Sequence, residues 1–218
     1  MELFKNLENH LTVQLLFMFI FTSIFTPIEA DCPTEIDSAI QAPNKEIFLF
    51  KDDDIWRILN GKTNGPKKIH EVFPDGPNSV AAAVTENGLS VLIEEKTLYG
   101  YNQDEGTGAF TSAQGFPKSL HNRVLFYPSA AFPLTNGSII LISGNVFATY
   151  SLNENAPSLL HDKVSTFPNL PEGLISGFFE NTGDDGLYRM FSKNNVYEYN
   201  MQLQQIVHEQ PLSSYLSC

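Results

Sequence analysis

Beyond about residue 40 a helical period is hard to find in the chain. Short runs of interleaved apolar and polar residues recur instead, bounded by Gly, Asn, Asp and Pro, which is the pattern of β-strands joined by tight turns. Ile47-Phe48-Leu49-Phe50-Lys51 is one such run, and Leu89 to Ile93, Ser138 to Ile142 and Leu187 to Phe191 are others of the same length. Each is followed, after a polar turn, by a second run: Ile55 to Ile58, Thr97 to Tyr101, Val146 to Tyr150 and Val196 to Tyr199. The turns between them, Asp52-Asp53-Asp54, Glu94-Glu95-Lys96, Ser143-Gly144-Asn145 and Ser192-Lys193-Asn194-Asn195, have a composition suited to hairpins.

The repeating unit is wider than a hairpin, because a segment rich in small residues precedes each one. These segments are Asp37-Ser38-Ala39-Ile40, Ala81-Ala82-Ala83-Val84, Ser129-Ala130-Ala131-Phe132 and Ile175-Ser176-Gly177-Phe178. Their third residues stand at 39, 83, 131 and 177, a period of about 45 residues. Four copies of a multi-stranded unit predict an all-β chain folded as a four-bladed β-propeller. The blades fall at approximately 32–75, 76–117, 118–168 and 169–218. The innermost strand of a blade is crowded by its neighbours, so Ala, Ser and Gly belong there and bulky side chains belong further out. The pairs Phe73-Pro74, Phe116-Pro117 and Phe167-Pro168 are expected where one blade hands over to the next, since proline stops ladder pairing. The 17 phenylalanines then serve as packing between blade faces.

The first thirty residues change the picture of where this domain works. A short polar start with Lys5, an apolar run from Leu15 to Phe25 and Ala30 before Asp31 read as an export signal, residues 1–30. The run is shorter than the roughly 20 apolar residues that cross a bilayer as a helix, which favours cleavage, with an uncleaved anchor as the alternative. Residues 31–218 then form one domain, expected to be secreted and extracellular. The formal net charge of −12 stays strongly negative without Glu2, Glu8, Glu29 and Lys5. That argues against nucleic acid, whose binding rests on Lys and Arg neutralising phosphates, and against anionic membrane surfaces. Cys32 and Cys218 are the chain's two cysteines. On an exported chain a disulfide is the expected state, with free or intermolecular thiols as the alternative. Such a bond requires a fold that brings its two ends together.

Candidate chemistry is sparse. Asp52-Asp53-Asp54 lacks the alternation and downstream Glu of a calcium loop, so a solvated hairpin turn is expected. His70, His121, His161 and His208 are isolated, with no partner at metal-ligand spacing and no His-Glu-x-x-His. Neither a Gly-x-Ser-x-Gly turn nor a Gly-rich phosphate loop occurs. An enzyme is therefore not expected. Asn136-Gly137-Ser138 is an N-glycosylation sequon in a predicted turn, which marks Asn136 as the glycan acceptor.

Taken together, Cys32 ahead of Ile36-Asp37-Ser38-Ala39-Ile40, then Glu46-Ile47-Phe48-Leu49-Phe50-Lys51 and Ile55-Trp56-Arg57, resemble the opening blade of the hemopexin-like domain family. That family includes domains of hemopexin, vitronectin and matrix metalloproteinases. Phe167-Pro168-Asn169-Leu170-Pro171 is similar to its blade linker, and the resemblance covers essentially all of residues 32–218. It implies a disulfide from Cys32 to Cys218 that closes last blade to first. It also implies a cation such as Ca²⁺ in the central channel, faced by main-chain carbonyls at Asp37, Ala81, Ser129 and Ile175. Only the first of these keeps the Asp common at that position in the family.

Function is implied by the same resemblance: a non-catalytic binding module that docks an extracellular protein or matrix component. The alternative is a carrier of haem or another small ligand. Haem is disfavoured, because hemopexin uses two propellers with a linker between them and isolated histidines lack paired axial ligands.

Overall fold

The computed structural model describes residues 31–180 and 186–218; the export signal expected at 1–30 lies outside the described residues. Asp31–Cys218 is one compact unit. Among the described residues it is all-β apart from three single helical turns, and its strands fall into four consecutive antiparallel units.

The first unit runs β1 (Ser38–Gln41), β2 (Ile47–Lys51), β3 (Asp54–Leu59) and β4 (Lys62–Lys68), then α1 (Ile69–Val72). In the second, β5 (Ala82–Glu86), β6 (Leu89–Glu94) and β7 (Thr97–Gln103) are followed by two fragments, β8 (Phe110–Ser112) and β9 (Lys118–Ser119), which both pair with β7. The third comprises β10 (Ala130–Pro133), β11 (Ile139–Ser143), β12 (Val146–Ser151) and β13 (Ala156–Asp162), then α2 (Lys163–Thr166). The fourth comprises β14 (Ser176–Phe179), β15 (Leu187–Phe191), β16 (Asn195–Asn200) and β17 (Gln205–Pro211), then α3 (Leu212–Tyr215). A parallel bridge between Ala131 and Ser176 merges the third and fourth units into one eight-stranded sheet.

The predicted hairpins form in register. Lys51 pairs Asp54, Glu94 pairs Thr97, and Ser143 pairs Val146. Asp52, Glu95 and Gly144 take left-handed backbone at φ 52°, 53° and 56°, the conformation these tight turns require. The small-residue segments are the first strands. β1 lies against β5 and β14, and β10 lies against the same two. Ala39, Ala83 and Ala131 are buried here, and at the matching position a Cβ on Gly177 would come within 3.2 Å of Phe132 Cβ in the neighbouring unit.

Four hydrophobic cores follow from this arrangement, each shared by two units. One joins the first and second through Phe48, Phe50, Leu92 and Tyr101; one joins the second and third through Val91, Ile93, Leu141 and Tyr150. A third joins the third and fourth through Phe132, Phe147, Tyr188 and Tyr199, and the last joins the fourth and first through Phe191, Leu212, Leu49 and Trp56. Phenylalanine does serve as inter-unit packing: the Phe73 ring lies 4.3 Å from Phe110 and 5.0 Å from Tyr101 between centroids, and Phe132 lies 5.9 Å from Tyr188.

Two expectations need correcting. Phe73 and Phe167 follow the helical turns at the hand-over between units. Phe116-Pro117, by contrast, sits between β8 and β9 inside the second unit, which extends past residue 117 because Lys118 and Ser119 pair with Leu98 and Thr97. The three helical turns were also missed, since four residues are too few to show a period.

Candidate binding surfaces

The four predicted channel positions occupy equivalent places, each immediately before the first strand of its unit. Their amides donate to the carbonyl of a residue at or near the end of the second strand: Asp37 to Phe50 (2.7 Å), Ala81 to Ile93 (2.9 Å), Ser129 to Ile142 (2.8 Å) and Ile175 to Phe191 (2.8 Å). The one acidic side chain among them is committed elsewhere. Asp37 Oδ2 accepts from the Asp52 amide at 2.9 Å, and its carboxylate lies 3.4 Å from Lys51 Nζ. Any cation held at these four positions would therefore meet neutral carbonyl oxygens, a donor type that Ca²⁺ accepts. Among the described residues no group of three or more His, Cys, Asp or Glu is placed to hold a metal ion.

A recess of about 650 Å³ opens between the first and second units. Its apolar floor is Phe48, Ile55 and Phe110, and its wall carries the ion pair of Arg57 with the nearly buried Glu46, with Lys67 and Glu71 also lining it. A β-irregularity between Ile55 and Arg57 re-aims the strand at this wall. The size lies within the range of small-ligand sites. Its lining includes no His, Cys, Met or Tyr, the side chains that ligate haem iron.

Among the described residues, the third unit presents the most exposed large apolar side chains. Leu125 is 82% and Tyr127 is 62% exposed, on the segment that enters the unit, while Val146, Leu159 and Leu160 are nearly half exposed on β12 and β13. Leu125, Phe126, Val146, Phe147, Leu160 and His161 line a second recess of about 430 Å³. Lys96 steadies the segment from below, donating to the Val124 carbonyl at 2.8 Å with its ammonium 5.3 Å from the Tyr127 ring centre. At the end of β13, Asp162 caps α2: its Oδ1 accepts from the Ser165 amide at 2.9 Å and its Oδ2 from Asn145 Nδ2 at 2.6 Å. His161 Nδ1 meets the Ser165 and Thr166 hydroxyls at 3.4 and 3.3 Å. This Ser-His-Asp grouping is a helix cap, because the Asp carboxylate contacts the backbone and Asn145.

The Hemopexin family model matches residues 36–78, which is the first unit with its exit. Matrix metalloproteinase-C of Caenorhabditis elegans is 31% identical over 190 residues, 86% of this chain and 32% of its own length. A hemopexin-fold protein from cow pea superposes with a TM-score of 0.67 at 13% identity, covering 84% of this chain and 96% of its own. The chain carries a hemopexin-like domain. A seed albumin from Lathyrus sativus shares the fold of this hemopexin-like domain (TM-score 0.68, 15% identity, 85% and 96% covered). The chain spans about a third of the length of the nematode relative it matches.

Other sequence-predicted residues of the hemopexin-like domain are placed as follows. Cys32 and Cys218 are disulfide-bonded, with Cα atoms 5.8 Å apart. Around them the ends are also held by backbone: Thr63 N–H donates to the Ser217 carbonyl at 2.9 Å and Ile36 N–H to the Lys193 carbonyl at 3.0 Å. Trp56 Nε1 donates to the Asp31 carbonyl at 2.6 Å. Asn136 is exposed in the β10–β11 turn, its Oδ1 accepting from the Ser138 amide at 3.1 Å. Asp53 and Asp54 both pair with Lys68 Nζ, at 2.9 and 2.7 Å, which lifts the Lys68 ammonium to about 12. Asp52 and Asp53 thus form the hairpin turn, and Asp54 opens β3. Neither recess nor the exposed apolar surface was foreseen. The available signal was the run Val124-Leu125-Phe126-Tyr127, which lies outside the strand grammar.

Proposed function

We propose that this chain is a secreted, non-catalytic docking module, and that its four units close as a four-bladed β-propeller. The observation that carries the docking reading is the exposed apolar surface of the third unit, where Leu125 and Tyr127 stand out beside the recess at Val146 and Leu160. Contiguous apolar exposure of this kind marks interaction sites on soluble domains. The propeller reading is supported by first strands that neighbour one another and by a core between every successive pair of units, including fourth with first. Export is supported by residues 1–30 and by the disulfide, which persists in oxidising compartments. On this reading residues 1–30 are cleaved as a signal peptide, Asn136 carries a glycan, and the partner is an extracellular protein or matrix component. Calcium, if bound, is held by the carbonyls of Asp37, Ala81, Ser129 and Ile175, where it would tie the four units together; a calcium-dependent rise in melting temperature tests this.

Docking is tested with a photo-crosslinking side chain placed at Tyr127 in the full-length chain, expressed for secretion and exposed to the extracellular fluid of its source. A saturable crosslink to one protein that is lost in Leu125→Glu supports the reading. Crosslinking that is diffuse, or indifferent to Leu125→Glu, removes it. The recess between the first and second units favours a second reading, a small-ligand carrier. Haemin titration without a saturable spectral shift would confine that reading to ligands that need no axial donor.

A further inference from the structure

The outer strands of the four units treat their free edges differently. In the first unit β4 bears Lys62, Lys67, Lys68 and Pro66, the charges and proline that blunt an edge. The second unit has no long outer strand, only β8 and β9. In the third unit β13 is seven residues long with Pro157 near its start, ends the sheet order and carries Leu159 and Leu160 exposed, with no Lys or Arg along it. In the fourth unit β17 is alike, with Ile206 and Val207 exposed, but carries Glu209, and what singles out β13 is the recess beside it. The Lys163 amide donates inward to Asn145 at 2.8 Å, and Val146 pairs Asp162. Alternation along the strand therefore turns the Leu160 and Asp162 amides away from the sheet. This edge adjoins the apolar recess formed with Leu125, Phe126 and Val146.

The two segments that frame the recess do not share the acidity of the whole chain. The chain is formally −12, yet the segment from Leu120 to Pro128 contains Arg123 and His121 and no acid. His161 and Lys163 stand at the end of β13, and the one acid along residues 156–166, Asp162, is hydrogen-bonded as a helix cap.

We propose that the free edge of β13, with the neighbouring recess, receives an extended peptide segment that adds as a further strand, places an apolar side chain in the recess and sets carboxylates against Arg123 and Lys163. This deepens the docking reading and rests on it. Main-chain bonds to the outward amides supply affinity, and the recess and basic residues supply selectivity.

The test uses the full-length protein and two fluorescein-labelled peptides, Thr-Val-Leu-Val-Asp-Glu and Thr-Val-Leu-Val-Lys-Lys, followed by fluorescence anisotropy. The acidic peptide is expected to bind more tightly by at least about tenfold, and the preference to weaken with salt and to reverse in Arg123→Glu/Lys163→Glu. Leu160→Pro, which removes an outward amide, is expected to weaken the acidic peptide by about tenfold or more. Leu160→Ala, which keeps that amide, gives a smaller loss and guards against a misfolded proline variant. Equal binding of both peptides, or none at millimolar concentration, overturns the proposal. A concentration-dependent dimer in sedimentation that Leu160→Pro abolishes also overturns it, by giving the edge to a second copy. If the Tyr127 crosslink depends on Leu125 while Leu160→Pro changes nothing, docking stands and strand addition falls.

Discussion

Replacing both cysteines, as Cys32→Ser/Cys218→Ser, removes a bond that spans a sequence separation of 186 residues without leaving a reactive thiol. In the chain-entropy model a loop of that length restrains the unfolded chain by about 5 kcal/mol. The native state is expected to change little, because the ends are held independently. Thr63 exchanges hydrogen bonds with Ser217, and Asn194 Nδ2 donates to the Thr34 carbonyl at 3.2 Å. Ile36, Leu212 and Leu216 are buried in the core that joins the first and fourth units. The loss should therefore appear almost wholly through the unfolded state. With a urea slope of about 2 kcal/mol/M, the midpoint should fall by about 2.5 M. The slope itself should rise, since an uncrosslinked chain exposes more surface on unfolding. Equilibrium urea unfolding followed by tryptophan fluorescence reads both, because Trp56 sits at this junction. A loss below about 1 kcal/mol at unchanged slope would refute the reasoning and mean that the denatured ensemble keeps its ends together unaided.

Other substitutions probe the packing between units. Phe73→Ala empties a site ringed by Phe48, Phe50, Tyr101 and Phe110 and should cost about 3–5 kcal/mol in the same assay. Gly100→Ala would place a Cβ 2.7 Å from the Phe116 ring and should cost about 1–3 kcal/mol, with relief in the double variant Gly100→Ala/Phe116→Ala. Tyr188→Phe deprives the Pro133 carbonyl of a buried 2.9 Å hydrogen bond and should cost about 1 kcal/mol. Burial raises the Glu86 carboxyl above its ordinary 4.5. The folded state thus holds that proton more tightly than the unfolded state, and stability falls as pH rises through this interval. A carbon-detected NMR titration should place the Glu86 midpoint above 4.5, and Glu86→Gln should flatten the slope.

What could be read from the sequence was set by strand burial. The second and third strands of each unit are legible because their turns need special backbone and their faces alternate, as in Ile47–Lys51 and Leu187–Phe191. First strands were found by their small residues, which the approach of Phe132 to Gly177 explains in atomic terms. Fourth strands were not found, because β17 is exposed along nearly its whole length and β13 beyond Pro157, so neither strand has an inside to alternate against. The apolar surface was hidden for a related reason. Leu125 and Phe126 are neighbours of equal hydrophobicity, yet only Phe126 packs on the core between the second and third units, a difference set by contacts distant in sequence.

The fragmented outer strand of the second unit has a consequence for local stability. Three of the four units end in a seven-residue ladder, whereas here three residues and then two are joined to β7 across a bend. Amides in this stretch should exchange with solvent well before those of the other outer strands. The turn at Asp104 to Gly108, closed by Asp104 Oδ1 accepting from the Thr107 amide at 2.7 Å, is then where the polypeptide can be lengthened with least disturbance. A peptide tag or a reporter inserted there would leave all four inter-unit cores untouched, so evolution or an engineer could elaborate this corner of the molecule without re-solving the fold.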